Sequence, residues 1–121
     1  MNNKLIQTDL NQFTGTTQWY RHFTGYLYTD GVQYLAEKGS AYWLLDAIFA
    51  NQFVPEIKND PMLKRIQFWT LKLIENGGAI LTCERDADDI VFTQEIEFTD
   101  FPLDEIKLYF CDNTLLLPSE Y

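Results

Sequence analysis

Histidine and cysteine are scarce in this sequence, and its last third has almost no base. One histidine, His22, and two cysteines, Cys83 and Cys111, occur in 121 residues. A zinc site takes four ligands at short paired spacings, and this set cannot supply them. Two cysteines are too few for a disulfide scaffold and allow at most one bridge; the expectation is two free structural thiols in a reducing cytoplasm. No stretch approaches the roughly 18 apolar residues of a membrane span. The opening Met1-Asn2-Asn3-Lys4-Leu5-Ile6-Gln7 lacks an apolar run of signal-peptide length. A cytoplasmic location is the resulting expectation. Gly77-Gly78 runs into a strand pattern and not into a helix start, so there is no phosphate-cradling loop. No Ser or Cys sits in a nucleophile elbow. The sequence therefore predicts no enzyme and no cofactor.

The shortage of base is local. Residues 1–78 hold seven acids and seven bases. Residues 79–121 hold eleven acids against Arg85 and Lys107, which accounts for the whole net charge of −9. Such a surface argues against direct contact with nucleic-acid phosphates and against anionic membranes.

What is present is a core. Apolar residues make up 46% and aromatics 16%, which suits one folded domain over 1–121. Gln18 to Phe23 has the aromatic content of a strand. Thr29-Asp30-Gly31 starts a helix carrying Val32, Leu35 and Ala36 on one face, with Gly39 past its end and Ser40 capping the next helix. There Trp43, Leu44, Ala47 and Ile48 recur at helical spacing. A connector from Val54-Pro55 to Asp60-Pro61 follows. The period then becomes two. Ile66, Phe68 and Thr70 face one way, and Trp69, Leu71 and Leu73 the other. Asn76-Gly77-Gly78 makes a hairpin turn, and Ala79, Leu81 and Cys83 alternate with Ile80, Thr82 and Glu84. After the turn Asp86-Ala87-Asp88-Asp89, a third strand sets Ile90, Phe92, Ile96 and Phe98 against Val91, Thr93, Glu95 and Glu97, with Gln94 interrupting the apolar face. Residues 99–110 read as a helix opened by Pro102 and acids, with Leu103, Ile106 and Phe110 inward. Thr114 to Pro118 adds a closing strand. The expected fold is α+β, a three- to four-stranded antiparallel meander with two to four short helices packed on one face.

Each candidate site has a plain reading beside the functional one. His22 is a packed core side chain, or a catalytic base oriented by Asp30 or Asp46. Asp86, Asp88 and Asp89 form a solvated turn, because a calcium loop needs a central Gly and a Glu at its twelfth position. Glu95 and Glu97 share a strand face about 7 Å apart. That spacing could suit sugar hydrolysis, but the neighbouring Thr93 and Thr99 mark a wet face. The aromatics Trp19, Tyr20, Phe23, Tyr26, Tyr28, Tyr34, Tyr42 and Trp43 read as core, with a protein-binding patch as the alternative.

Several segments together resemble a family. They are Gln18-Trp19-Tyr20-Arg21-His22, Leu27 to Glu37, Ala41 to Ile48, Gln94 to Leu103 and Leu115 to Tyr121. The chain resembles an uncharacterised bacterial protein family common on phages, plasmids and integrated elements. That resemblance implies a mobile-element accessory protein and carries over no reaction or catalytic residue. Asn51 to Met62 and Glu84 to Asp89 match no family pattern.

Joined to the acidic third, the resemblance points to a non-enzymatic inhibitor of a basic nucleic-acid-binding host defence protein, such as a CRISPR effector. Carboxylates on a rigid sheet would stand in for phosphates. Glu84, Asp86, Asp88, Asp89, Glu95 and Glu97 are the expected contact residues. The plainer alternative is that the acids only keep the domain soluble. Two further readings are a small-ligand module or enzyme using Tyr20, His22, Asp30 and Asp46, and a homodimeric accessory protein.

Overall fold

The computed structural model describes residues 5, 7–15 and 18–121. In chain order the elements are α1 (Gln7–Leu10), β1 (Trp19–Arg21), β2 (Leu27–Thr29), α2 (Asp30–Lys38), α3 (Tyr42–Ala50), α4 (Pro55–Lys58), β3 (Gln67–Leu73), β4 (Ala79–Glu84), β5 (Ile90–Ile96), β6 (Glu105–Cys111) and β7 (Thr114–Leu116). Single 3₁₀ turns lie at Asn51–Phe53, Pro61–Lys64 and Pro118–Glu120. No helix among the described residues is long and apolar enough to cross a membrane.

The strands form one seven-stranded sheet in the order β1-β2-β7-β6-β3-β4-β5. β2 and β7 are parallel, and the other neighbouring pairs are antiparallel. This corrects the expected three- to four-stranded antiparallel meander, although the α+β class stands. The largest difference is at residues 105–111, read as helix and found as β6. Ile106 and Phe110 fit a helical spacing, but Ile106, Leu108 and Phe110 also alternate, and all three are buried. Period two prevails because β3 and β7 flank the segment and satisfy its backbone on both sides. β1 falls inside the strand expected at Gln18–Phe23, while β2, only three residues long, is too short for a period to register.

The β3–β4–β5 alternation is otherwise as expected. Gln67, Trp69 and Leu71, and Ala79, Leu81 and Cys83, are buried beneath α2 and α3. Phe68, Thr70, Ile80 and Thr82 occupy the opposite face. A bulge between Cys83 and Glu84 shifts the start of β5, so Ile90 pairs with Glu84 on that opposite face and not with the inward set. Gln94, which interrupts the apolar face, accepts a hydrogen bond from Asn51 Nδ2 at 2.9 Å. Phe98 lies beyond β5 and is exposed.

The helix pair is capped differently from the sequence expectation at its junction. Thr29 caps α2 as expected, its Oγ1 accepting from Val32 N at 3.2 Å. At the far end the left-handed residue is Ser40, with φ 50°, and not Gly39. Ala41 N donates to Ala36 O at 2.9 Å, the six-to-one bond of a Schellman ending. Gly39 is needed for a different reason: a Cβ there would lie 2.9 Å from Leu35 O and 3.1 Å from the Phe101 ring.

One polar network sits inside the core. Gln67 Nε2 donates to Gln52 Oε1 at 2.7 Å and to Leu63 O at 3.2 Å. Gln52 Nε2 donates back to Gln67 Oε1 at 2.8 Å and to Ile48 O at 3.1 Å. Trp69 Nε1 also donates to Gln67 Oε1, at 2.8 Å. Replacing Gln67 by Leu strands the Trp69 N–H and one Gln52 amide edge. The expected cost is about 1–3 kcal/mol in urea denaturation, with part of it recovered in the Gln52→Leu, Gln67→Leu double variant.

Glu120 ties the C-terminal 3₁₀ turn to α2. Thr29 Oγ1 donates to Glu120 Oε1 at 2.7 Å, and Leu117 N and Gly31 N donate to the same carboxylate at 2.9 and 3.2 Å. A Cβ on residue 31 would meet that carboxylate at 2.7 Å, which accounts for Gly31. Burial raises the Glu120 carboxyl above its ordinary value of 4.5, with a hydrogen bond from its protonated form to Asp30 adding to the rise and the three donors opposing it. The folded value exceeds the unfolded one, so this group's contribution to stability is full below pH 4.5 and is lost as pH rises through the folded value. Glu120→Gln, neutral throughout, should flatten that part of the stability–pH profile. A wild-type-minus-variant difference that stays constant just above pH 4.5 would contradict the assignment.

Candidate functional site

With α2 and α3 on one side, the sheet's other face is left open to solvent, and the acidic residues gather there and at its edge. β5 is the edge strand, and none of its side chains is fully buried. The six expected contact residues divide between its two ends. Glu84, Asp86, Asp88 and Asp89 lie where β4 turns into β5, while Glu95 and Glu97 lie where β5 ends.

At the first end Arg85 reorganises the cluster. Its Nε and Nη2 donate to the two oxygens of Asp89 at 3.0 and 3.1 Å, and Nη1 donates to Asp60 at 3.1 Å. Asp89 is thus neutralised inside the turn and is the weakest of the six as a contact residue. Asp88, exposed with φ 60°, takes the left-handed position of that turn. Asp86 Oδ1 accepts from Ala87 N at 2.8 Å. Glu84 and Asp86 share a hollow of about 240 Å³ with Phe68, Thr70, Tyr109 and Lys107. The Phe68 and Tyr109 rings meet edge-on, 5.1 Å apart, on this open face.

At the second end Glu95 and Glu97 line a groove of about 380 Å³ with Ile74 and Ile80. Among the described residues the ion pairs are His22–Asp46, Arg85–Asp60 and Arg85–Asp89. Glu84, Asp86, Asp88, Glu95 and Glu97 therefore keep their charge available to a partner. The second hollow combines two such carboxylates with an apolar floor, a match for the aliphatic stem and charged head of Lys or Arg, whereas in the first Lys107 already stands beside the two carboxylates. Alternation set Phe68 apart from Trp69 in β3 and Ile80 and Glu84 apart from Leu81 in β4, and the pairing of Phe68 with Glu84 joins the two sets into one face. Lys107 and Tyr109 escaped notice because β6 read as a helix.

The alternative residues come together only in part. His22 is 8% exposed and links the β1–β2 turn to α3. Thr24 N donates to its Nδ1 at 3.2 Å, so the ring proton lies on Nε2 and is donated to Asp46 Oδ1 at 2.6 Å. Thr24 Oγ1 stands 2.8 Å from Nδ1. This has the outline of a nucleophile–base–acid relay, but the nearby backbone donors are engaged: Thr24 N by the ring and Gly25 N by His22 O at 2.9 Å. Tyr20 stacks on Tyr28 at 5.5 Å, and Tyr28 is raised above its ordinary value by burial first and then by Tyr20 and Asp46. Asp30 stands apart, at Glu120. Tyr26, Tyr28, Tyr34 and Trp43 pack on the core, whereas Trp19, Phe23 and Tyr42 are exposed, Phe23 at 88%. No cluster of three or more potential metal ligands occurs among the described residues. Both cysteines are free; Cys83 is buried, and burial pushes its thiol up to about 12.

A family model spans residues 4–121. The chain belongs to DUF6876, a family of unknown function. No curated protein and no solved structure matches it. Membership in DUF6876 supplies no reaction, so any role rests on the geometry.

His22→Ala removes the ring that bridges the β1–β2 turn to α3 and packs on Phe49 at 4.6 Å. The expected result is a loss of about 1–3 kcal/mol in thermal or urea unfolding. A variant as stable as the parent would remove the structural role and turn attention to chemistry at Thr24, His22 and Asp46.

Proposed function

We propose that this protein is a non-enzymatic interaction module whose open sheet face binds a basic nucleic-acid-binding protein in place of nucleic acid. The observation that carries the reading is a pair of hollows on the open face: one over β3, β6 and the β4–β5 turn, where Lys107 stands beside Glu84 and Asp86, and one at the end of β5, where Glu95 and Glu97 stand over Ile74 and Ile80. Acids held at fixed places on a folded surface steer association with a basic groove. Glu84, Asp86, Asp88, Glu95 and Glu97 make the contacts, and Asp89 serves through Arg85 to shape the turn. The resemblance of the segments Gln18–His22, Leu27–Glu37 and Gln94–Leu103 to proteins of bacterial mobile elements favours a host defence protein, with a CRISPR effector as the first candidate, met in the cytoplasm.

Capture from bacterial lysate at low salt, followed by release with duplex DNA or high salt, tests this reading. A basic nucleic-acid-binding protein released by both is the expected result. The Glu95→Lys, Glu97→Lys variant should lose capture at least about tenfold, since each reversal replaces an attraction by a repulsion. Unchanged capture by that variant at low salt would defeat the reading.

A further inference from the structure

Strand β5 has β4 on one side and, among the described residues, no strand on the other. Along its roughly 20 Å, alternate backbone N–H and C=O groups therefore point outward without a ladder partner. Sheets commonly blunt such an edge with lysine or proline, and Ile90–Ile96 contains neither. The bulge between Cys83 and Glu84 bends only its beginning. Ile90, exposed at 54%, and Thr93 supply side chains that a neighbouring strand could cover on the open face.

We propose that this edge takes up an extended segment of a partner protein as an added strand, apolar or β-branched at alternate positions and carrying Lys or Arg at both ends. This rests on the reading that the partner is basic and specifies how it binds. Charge decides the occupant. A second copy pairing antiparallel about Thr93 would bring the eleven acids of residues 79–121 up to eleven more, with only Arg85 and Lys107 on each side to offset them. A strand with basic ends meets the opposite situation. Its cations fall beside Asp86 and Asp88 at one end and Glu95 and Glu97 at the other, where the groove with Ile80 receives a stem. Main-chain bonding along the edge supplies affinity, and the ends supply selection for basic sequence.

The test uses the full chain and the peptide Lys-Lys-Thr-Val-Thr-Val-Thr-Lys-Lys. Two further versions are N-methylated at one or the other set of alternate residues, and binding is read by fluorescence anisotropy and by amide chemical shifts. The parent peptide should bind. One methylated version should bind about tenfold or more weaker and the other unchanged, because only one set of amides faces β5. Shifts should fall on alternate residues of Ile90–Ile96. Three equal, salt-sensitive affinities would overturn the added strand while leaving the basic-partner reading intact. No binding by any peptide at low salt would also overturn it, and the lysate capture would then judge the wider reading separately. A dimer by sedimentation with protected β5 amides would replace the basic strand with a second copy and overturn the proposal.

Discussion

The mutual amide bonds of Gln52 and Gln67 are the constraint on which the rest of the structure depends. Gln67 opens β3, and Gln52 follows directly on α3, so the pair fixes where the helical layer meets the sheet. Buried amides are unforgiving: a slip of β3 by one residue would turn Gln67, Trp69 and Leu71 outward and leave several donors without partners. β3 also carries β4 on one side and β6 on the other. Its register is therefore inherited by the whole meander, by the pairing of Phe68 with Tyr109, and by the placement of Glu84 on the open face.

The same layering explains why the acidic residues are accessible. Helices cover only the face bearing Trp69, Leu81 and Leu108, and a single-sided sheet leaves its other face wet. The acids of residues 79–121 are concentrated in the turns and edge positions that this arrangement exposes. One exception, Glu120, turns inward to clasp α2 and acts in the fold and not on the surface. Arg85 and Lys107 also depart from a uniformly negative surface, and Arg85 holds Asp60 and Asp89 so that the turn keeps one shape.

How much of this was legible depended on the length of each segment. β3, β4 and β5, with their turns, followed from alternation over six or seven residues, and α2 from its cap and apolar stripe. β1 and β7, three residues each, lie inside the strands expected at Gln18–Phe23 and Thr114–Pro118, whereas β2 left no local mark and pairs with β7 from the far end of the chain. β6 satisfied two periods at once, and only its position between β3 and β7 resolves the choice. The acids at the site were visible individually, but their division into two hollows was not, because Lys107 and Tyr109 reach the open face through that same misread strand. The bond between His22 and Asp46 spans 24 positions and leaves no local mark, although Asp46 stood among the polar residues considered with it.

The hairpin of β6 and β7 has a consequence for how the chain is made. It is inserted between β2 and β3, so the last strands to be synthesised occupy the middle of the sheet. Without residues 105–116, β2 and β3 have no ladder between them, and two edges stay unpaired that the finished sheet closes. The sheet becomes continuous only when the hairpin slots between these two edges, a set of contacts far apart in sequence. Protection of those transient edges, by slow pairing or by a chaperone, is a demand that the finished structure no longer displays.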